Sequence, residues 1–411
     1  MDGQTFKGQL PPGVKDLFLA EAAKLSQLGE TLRRLFARWG YAEVIPPTFE
    51  YYDSYALGAG PRLREGIYRF LDHRGRTLAL RPDLTIPTAR IVGTKLYDQP
   101  LPLRLCYVAN VFRYEEPQAG RQREFTQAGV ELVGAATPQA DAEVIALSIE
   151  ALRSVGLREF QVNVGQMAFL RAILDGLNLV PAEVERIKGA IDRKNAAALR
   201  ELLQALDLDQ ATRRALQAIP DLYGGKEVLA RARALARDEG VQAAIENLAH
   251  IYDDLERYGV AQHVILDLGE VRGMEYYTGI TFETFVAGLG FPICGGGRYD
   301  DLIGQYGPPL PAVGFALTME RVLMAVEQER PLPVQLTPEA LVAACDHPEC
   351  LAQVQQMRAQ GLRVEMDVLG RDDEALLAYA RQRGIPRLLR CTGPGDLQAM
   401  GDEERTGPWR S

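Results

Sequence analysis

Residues 111–134, VFRYEEPQAGRQREFTQAGVELVG, read as two alternating strands around an eight-residue loop, Glu116 to Arg123. Arg113, Glu115, Arg121 and Arg123 crowd the loop and its flanks, too much charge for an ordinary hairpin. On the returning strand Gln127 and Glu131 stand four apart, and residues four apart on a strand share a face. Phe125 and Val133 lie on that face too, so both polar side chains point into the fold. A buried carboxylate without a partner costs several kcal/mol, and Glu131 therefore needs a cation or a polar ligand. A salt-bridged structural hairpin is the plain alternative, because ion-pair networks also occur away from sites.

The chain around this hairpin has 411 residues, 47% hydrophobic and 25% charged, which predicts two or three domains of ordinary globular composition. A net charge of −9 argues against broad nucleic-acid or anionic-membrane binding, which leaves a basic footprint. No apolar run is long enough to span a membrane, and the N-terminal MDGQTFKGQLPPG has no signal-peptide core; a cytoplasmic location is expected. Cys106, Cys294, Cys345, Cys350 and Cys391 are scattered, and no disulfide framework is expected. Cys345, His347, Cys350 and Cys391 form a candidate ligand set. Structural zinc sites show tighter paired spacings, so no metal is expected.

Working outward, Leu25, Leu28, Leu32, Leu35, Phe36 and Trp39 recur at three- and four-residue spacing, predicting a helix that Gly40 ends. The following strand, YAEVIPPTFEY, contains Pro46-Pro47, which cannot donate ladder hydrogen bonds and so belongs at an edge. Helix and edge together suggest a homodimer surface, and a core helix is equally consistent with the pattern. Asp72–Gly75 marks a hairpin turn, residues 103–113 a strand, and Thr137-Pro138 the start of a helix running to about Val155. From about 167 to 260 the period is helical throughout, which reads as an insertion. Strands return at His263, followed by a glycine turn at Gly295–Gly297 and a last helix ending near Val326. Residues 329–339 hold three prolines and read as a linker. Residues 340–411 spell βαβαβ with a polar tail, a small α/β domain. The expected class is α+β: a core over 1–328 with its helical insertion, then the small C-terminal module.

Three further stretches carry polar clusters: DLGEVRGMEYYTGITFE with Arg272, Tyr276 and Tyr277, CGGGRYDDLIGQYG with Tyr299, and PAVGFALTMERVL with Arg321. In order with the charged hairpin they resemble the class II aminoacyl-tRNA synthetase core, specifically its histidyl branch. The hairpin resembles motif 2, PAVGFALTMERVL resembles motif 3, and VRGMEYYTG and GGGRYD resemble the two histidine-binding segments. The likeness covers about 11–165 and 262–326 and implies an antiparallel sheet with flanking helices. Two families share this core, the synthetases and the regulatory subunits of ATP phosphoribosyltransferase. RPDLT at 81–85, Glu116, Thr126 and the DLGE lead-in to Val271 resemble the regulatory family. An acid at 116 would repel triphosphate oxygens, and the short C-terminal module, which ends in an acidic tail, lacks the basic surface of a tRNA binder.

The resemblance implies a chain that does no chemistry and needs no cofactor. It implies a hetero-oligomer with a separate catalytic subunit, with histidine as effector in the first step of histidine biosynthesis. By the same likeness Glu131 and Tyr277 face the imidazole, Asp83, Thr85 and Gln127 surround the ammonium, and Arg272 points to the carboxylate with Arg113 beside it. Tyr276 and Tyr299 complete the pocket, and Glu115, Arg121 and Arg321 remain from an ATP site. An active histidyl-tRNA synthetase is the alternative, and a synthetase-like scaffold without histidine or a transferase partner is a third reading.

Overall fold

The computed structural model describes residues 8–114, 122–177, 179–236, 238–270 and 277–400. The chain divides into two compact units, Met1–Leu332 and Pro333–Ser411.

The amphipathic helix is α1 (Leu19–Arg38), and Gly40, at a left-handed φ of 81°, turns the chain after it. Its stripe of Leu28, Leu32, Leu35 and Phe36 is buried in the core of its own unit, packed toward the sheet and two other helices. That apolar stripe is therefore consumed internally and is not a free dimer surface. The Pro-Pro strand is split into β1 (Ala42–Glu43) and β2 (Phe49–Tyr51), because two successive residues without an N–H cannot continue a ladder. After β2 come α2 (Tyr52–Gly58), α3 (Pro61–Glu65), β3 (Arg69–Leu71), β4 (Thr77–Leu80) and α4 (Thr85–Ile91). Strands β2, β4 and β3 form a small three-stranded sheet in that order.

The charged hairpin is β5 (Leu103–Phe112) and β6 (Glu124–Val133). Helix α5 (Pro138–Ser154) follows, capped by the Thr137 hydroxyl, which accepts the Ala140 N–H, and then β7 (Gln161–Gln166). The insertion contains α6 (Met167–Asp175), α7 (Pro181–Asp192), α8 (Ala196–Gln204), α9 (Gln210–Ala218), β8 (Tyr223–Gly224), α10 (Glu227–Arg233) and α11 (Glu239–Arg257). It is not purely helical, since β8 pairs antiparallel with β9 (Val264–Asp267) at the edge of the large sheet. Then come β10 (Ile280–Phe285), β11 (Cys294–Arg298), β12 (Ala312–Thr318) and α12 (Met319–Glu329). The nine strands run in the order β1-β5-β6-β12-β11-β10-β7-β9-β8. Pairing is antiparallel from β5 through to β7 and parallel at β1–β5 and β7–β9.

The glycines at 295–297 are strand β11, not the expected turn. Close approach requires glycine at 296 and 297: a Cβ at Gly297 would lie 2.8 Å from the Tyr277 ring and 2.6 Å from the Ile280 carbonyl oxygen. Ala128, Val130 and Leu132 point from β6 into the helix-covered core. The opposite parity, Gln127 and Glu131, is equally buried and faces a polar enclosure.

The second unit contains β13 (Ala340–Val342), α13 (Pro348–Ala359), β14 (Val364–Met366), α14 (Asp373–Arg383), β15 (Leu388–Gly393) and β16 (Asp396–Ala399). Its sheet runs β14-β13-β15-β16. The first three strands are parallel, and β16 adds an antiparallel hairpin that the sequence pattern did not reveal. Cys350 and Cys391 are joined in a disulfide, against the expectation from scattered cysteines. Packing of α13 beside β15 brings together residues 41 apart in the chain. Among the described residues no helix is long and apolar enough to cross a membrane.

Candidate ligand pocket

Glu131 sits in mid-β6, opposite Leu105 on β5 and Gly314 on β12. Its side chain lies directly over Gly314, where an added Cβ would fall 1.8 Å from Oε2. Glycine at 314 is what makes room for the acid. The Tyr107 hydroxyl donates to Oε1 at 2.9 Å, the Tyr299 hydroxyl donates to Oε2, and the Thr85 hydroxyl bonds the same carboxylate. Glu131 is 1% exposed. Burial pushes its carboxyl up to about 7, the three hydroxyls restrain the rise, and nearby Asp83 adds to it.

Asp83 is held by the RPDLT segment. Arg81 pins that segment by donating from Nε to the Asn110 carbonyl at 2.6 Å and from Nη1 to the Pro46 carbonyl at 2.8 Å. Asp83 Oδ1 accepts the Ile86 N–H at 3.0 Å in the first turn of α4, while buried Oδ2 has no partner among the described residues. Burial raises the Asp83 pKa and the Arg113 charge opposes the rise. Arg113 donates from Nε to the Pro82 carbonyl at 2.6 Å, and its buried Nη2 has no hydrogen-bond partner among the described residues. The same holds for Gln127 Oε1. A buried polar atom left unpaired costs about 1–3 kcal/mol, so these three mark unmet demand. Two are acceptors asking for N–H groups and one is a cationic donor asking for an anionic oxygen. The ammonium and carboxylate of an α-amino acid answer both.

Tyr277 packs its ring against Gly297, and its hydroxyl pKa is raised by burial and by the Glu131 charge, so it shares the enclosure. Tyr299 is buried with its hydroxyl on Glu131. Thr85 lies beside Glu131 and Tyr107, within the same enclosure. Arg272, Tyr276, Glu115, Glu116 and Arg121 lie outside the described residues. Tyr107 was missed because LRLCYVANV reads as an apolar strand. The available signal was register, since Tyr107 stands opposite Gly129, between Gln127 and Glu131 on the paired strand.

A second cleft of about 80 Å³ opens beside the pocket, lined by Arg113, Gln122, Phe125, Thr318, Glu320, Arg321 and Met324. Arg321 donates from Nη1 to the Pro292 carbonyl at 2.8 Å and lies 4.9 Å over the Phe291 ring. Glu320, also missed in the sequence, accepts the Thr126 N–H at 2.9 and 3.0 Å, and burial raises its pKa.

An antiparallel sheet flanked by helices, with a carboxylate pocket under motif-2-like and motif-3-like strands, defines a class II synthetase core of histidyl type. A family model described as histidyl-tRNA synthetase matches residues 13–322. The fold is similar to histidyl-tRNA synthetase from a Nostoc species, with a TM-score of 0.77 over 93% of this chain and 91% of that one at 23% identity. A structure named as an ATP phosphoribosyltransferase regulatory subunit/histidyl-tRNA synthetase from Bacillus halodurans gives a TM-score of 0.83 at 31% identity, covering 95% of this chain and 100% of that one. The ATP phosphoribosyltransferase regulatory subunit of Moorella thermoacetica is 43% identical over 92% of this chain and 96% of its own length. The chain belongs to the family of ATP phosphoribosyltransferase regulatory subunits.

Proposed function

We propose that this chain is the non-catalytic, histidine-sensing partner of a separate ATP phosphoribosyltransferase catalytic subunit, acting in the cytoplasm on the first step of histidine biosynthesis. The observation that carries the reading is the matched set of unmet polar atoms beside Glu131: Asp83 Oδ2, Gln127 Oε1 and Arg113 Nη2. Histidine fits that set with its ammonium at Asp83 and Gln127, its carboxylate toward Arg113 and Arg272, and its ring between Glu131 and Tyr277. Tyr107 and Tyr299 hold the Glu131 carboxylate in place. Charged hydrogen bonds contribute about 1.5–3 kcal/mol each, and three or four support micromolar affinity after ordering costs. Feedback then requires that histidine bind one arrangement of the complex better than another.

The chain also pairs with a second copy of itself. The surface for this is the outer edge at β1 and the small sheet, where Ile45, Phe49, Phe70 and Leu71 are exposed and Pro46-Pro47 stops the ladder. Solution mass should be at least twice 45.4 kDa, and a monomer at micromolar concentration removes this part of the reading.

The main test combines calorimetric titration of histidine with co-expression beside the catalytic subunit and a histidine inhibition assay. Histidine binding without histidine-dependent pyrophosphate exchange from ATP supports the sensor. Clear exchange and tRNA charging would make the chain a synthetase, and no binding even with the partner present ends the sensor reading.

A further inference from the structure

Three of the five cysteines meet in the C-terminal unit, far in sequence from the pocket residues. Cys345 follows β13, Cys350 is the third residue of α13, and Cys391 lies on β15. Their sulfurs all lie within 4.8 Å of one another. Cys350 and Cys391 are joined in a disulfide and Cys345 is a free, half-buried thiol beside them. A disulfide needs two sulfurs, and the third is the feature to be explained. In a reducing compartment clustered cysteines read as a metal site more readily than as a cross-link. We propose that, with the disulfide reduced, Cys345, Cys350 and Cys391 hold one Zn²⁺ ion through three thiolates.

Zinc–sulfur bonds of about 2.3 Å place tetrahedral sulfurs about 3.8 Å apart, so the trio reaches that geometry with movements of about 1 Å. Cys350 and Cys391 are fixed by a helix and a strand, while Cys345 sits on the connecting segment and can adjust. The His347 N–H already donates to Cys345 Sγ at 3.3 Å, the kind of outer hydrogen bond that orients a metal ligand. Cys345 is only half-buried, so solvent water reaches the fourth position. The opposing feature is the Gly393 carbonyl, which lies 3.6 Å from Cys350 Sγ and 3.1 Å from Cys391 Sγ and accepts from both as thiols. Both contacts are given up when the protons leave. The steps balance: a reductant of the dithiol class takes the Cys350–Cys391 bond to two thiols and is itself oxidised to a disulfide. Zn²⁺ then displaces three protons to solvent, one from each cysteine.

The test uses the full chain, reduced and stripped of metal, titrated with zinc chloride against a chromogenic chelator. One Zn²⁺ per chain is expected, with affinity weakened about tenfold or more in Cys345→Ser, since losing a ligand costs at least as much as losing an outer partner. Cys106→Ser, a buried cysteine outside the cluster, should leave binding unchanged. If a cluster variant fails to fold, alkylation of the reduced native chain decides: zinc should shield the half-buried Cys345 and Cys391 from iodoacetamide, read by peptide mass. No zinc uptake by the reduced native chain, equal affinity in Cys345→Ser, or no shielding would overturn the site.

Discussion

The inner pocket and the outer cleft share β6, β12 and Arg113, yet they hold their other polar groups in opposite ways. In the pocket, Asp83 Oδ2 and Gln127 Oε1 are buried and unanswered, and Glu131 is kept near its titration point among three hydroxyls. In the cleft, Arg321 is committed to the Pro292 carbonyl and the Phe291 ring, and Glu320 to the Thr126 amide. Charge that the fold already satisfies has less to offer a ligand than charge left waiting for one. On the sensor reading proposed above, this core has to keep the first kind of site and can let the second become architecture.

The largest expected break in that contrast is Glu131→Ala. Histidine affinity should fall by about 2–4 kcal/mol, the range for truncating one member of a buried charged pair, as read by calorimetry. Folding should survive, because the change also removes a buried acid that has no cation of its own. Unchanged affinity in a folded variant would sink the pocket assignment.

Next in size is pH. The Glu131 carboxyl lies at about 7 in the folded chain against an ordinary 4.5, so between those values the folded state holds more protons than the unfolded one. Its contribution to stability is complete below about 4.5 and lost as pH rises through 7, about 3 kcal/mol in all. Glu131→Gln should therefore flatten the stability–pH curve in that window, measured by denaturant unfolding. Bound histidine shares one proton between Glu131 and an imidazole of ordinary pKa about 6.5. Affinity should peak near pH 6.5–7 and fall about tenfold per unit on either side. A flat affinity profile from pH 6 to 8.5 would separate the ring from Glu131.

Gly314→Ala comes third. The new methyl would meet Glu131 Oε2 at 1.8 Å and the Val130 carbonyl oxygen at 2.5 Å. The second contact is backbone in the same ladder and cannot turn away. A stability loss of about 1–3 kcal/mol is expected, together with weaker histidine binding. An equally stable variant with native affinity would show that Glu131 does not need the floor that Gly314 provides.

Much of this was legible locally. The period-two pattern put Gln127 and Glu131 on one buried face, Thr137 announced the cap of α5, and Gly40 the end of α1. What was not legible depends on contacts between distant segments. Gly295–Gly297 looked like a turn because a sequence shows that a residue lacks a side chain and not which ring fills the space. Tyr107 looked like core because its partner Glu131 is on another strand. Leu28, Leu32, Leu35 and Phe36 gave a stripe without saying what it covers, and that is the chain's own sheet. Cys350 and Cys391 are neighbours in space alone.

The smallest effect sharpens the comparison most. Arg321→Ala removes the hydrogen bond to the Pro292 carbonyl and the stacking over Phe291. Those contacts support the loop before β11, so stability should drop by about 1 kcal/mol, the sum of a modest net hydrogen bond and a partly exposed cation–π contact. Histidine affinity should stay within about twofold, because the pocket's unmet atoms are on Asp83, Gln127 and Arg113 and none is on Arg321. A guanidinium that still worked on nucleotide phosphates would behave differently. The native chain would then show ATP-dependent pyrophosphate exchange, and Arg321→Ala would abolish it with little change in unfolding. Measuring histidine titration, unfolding and exchange on the same pair of proteins separates the two: lost stability with preserved histidine binding makes the cleft architecture, and lost exchange makes it a living site.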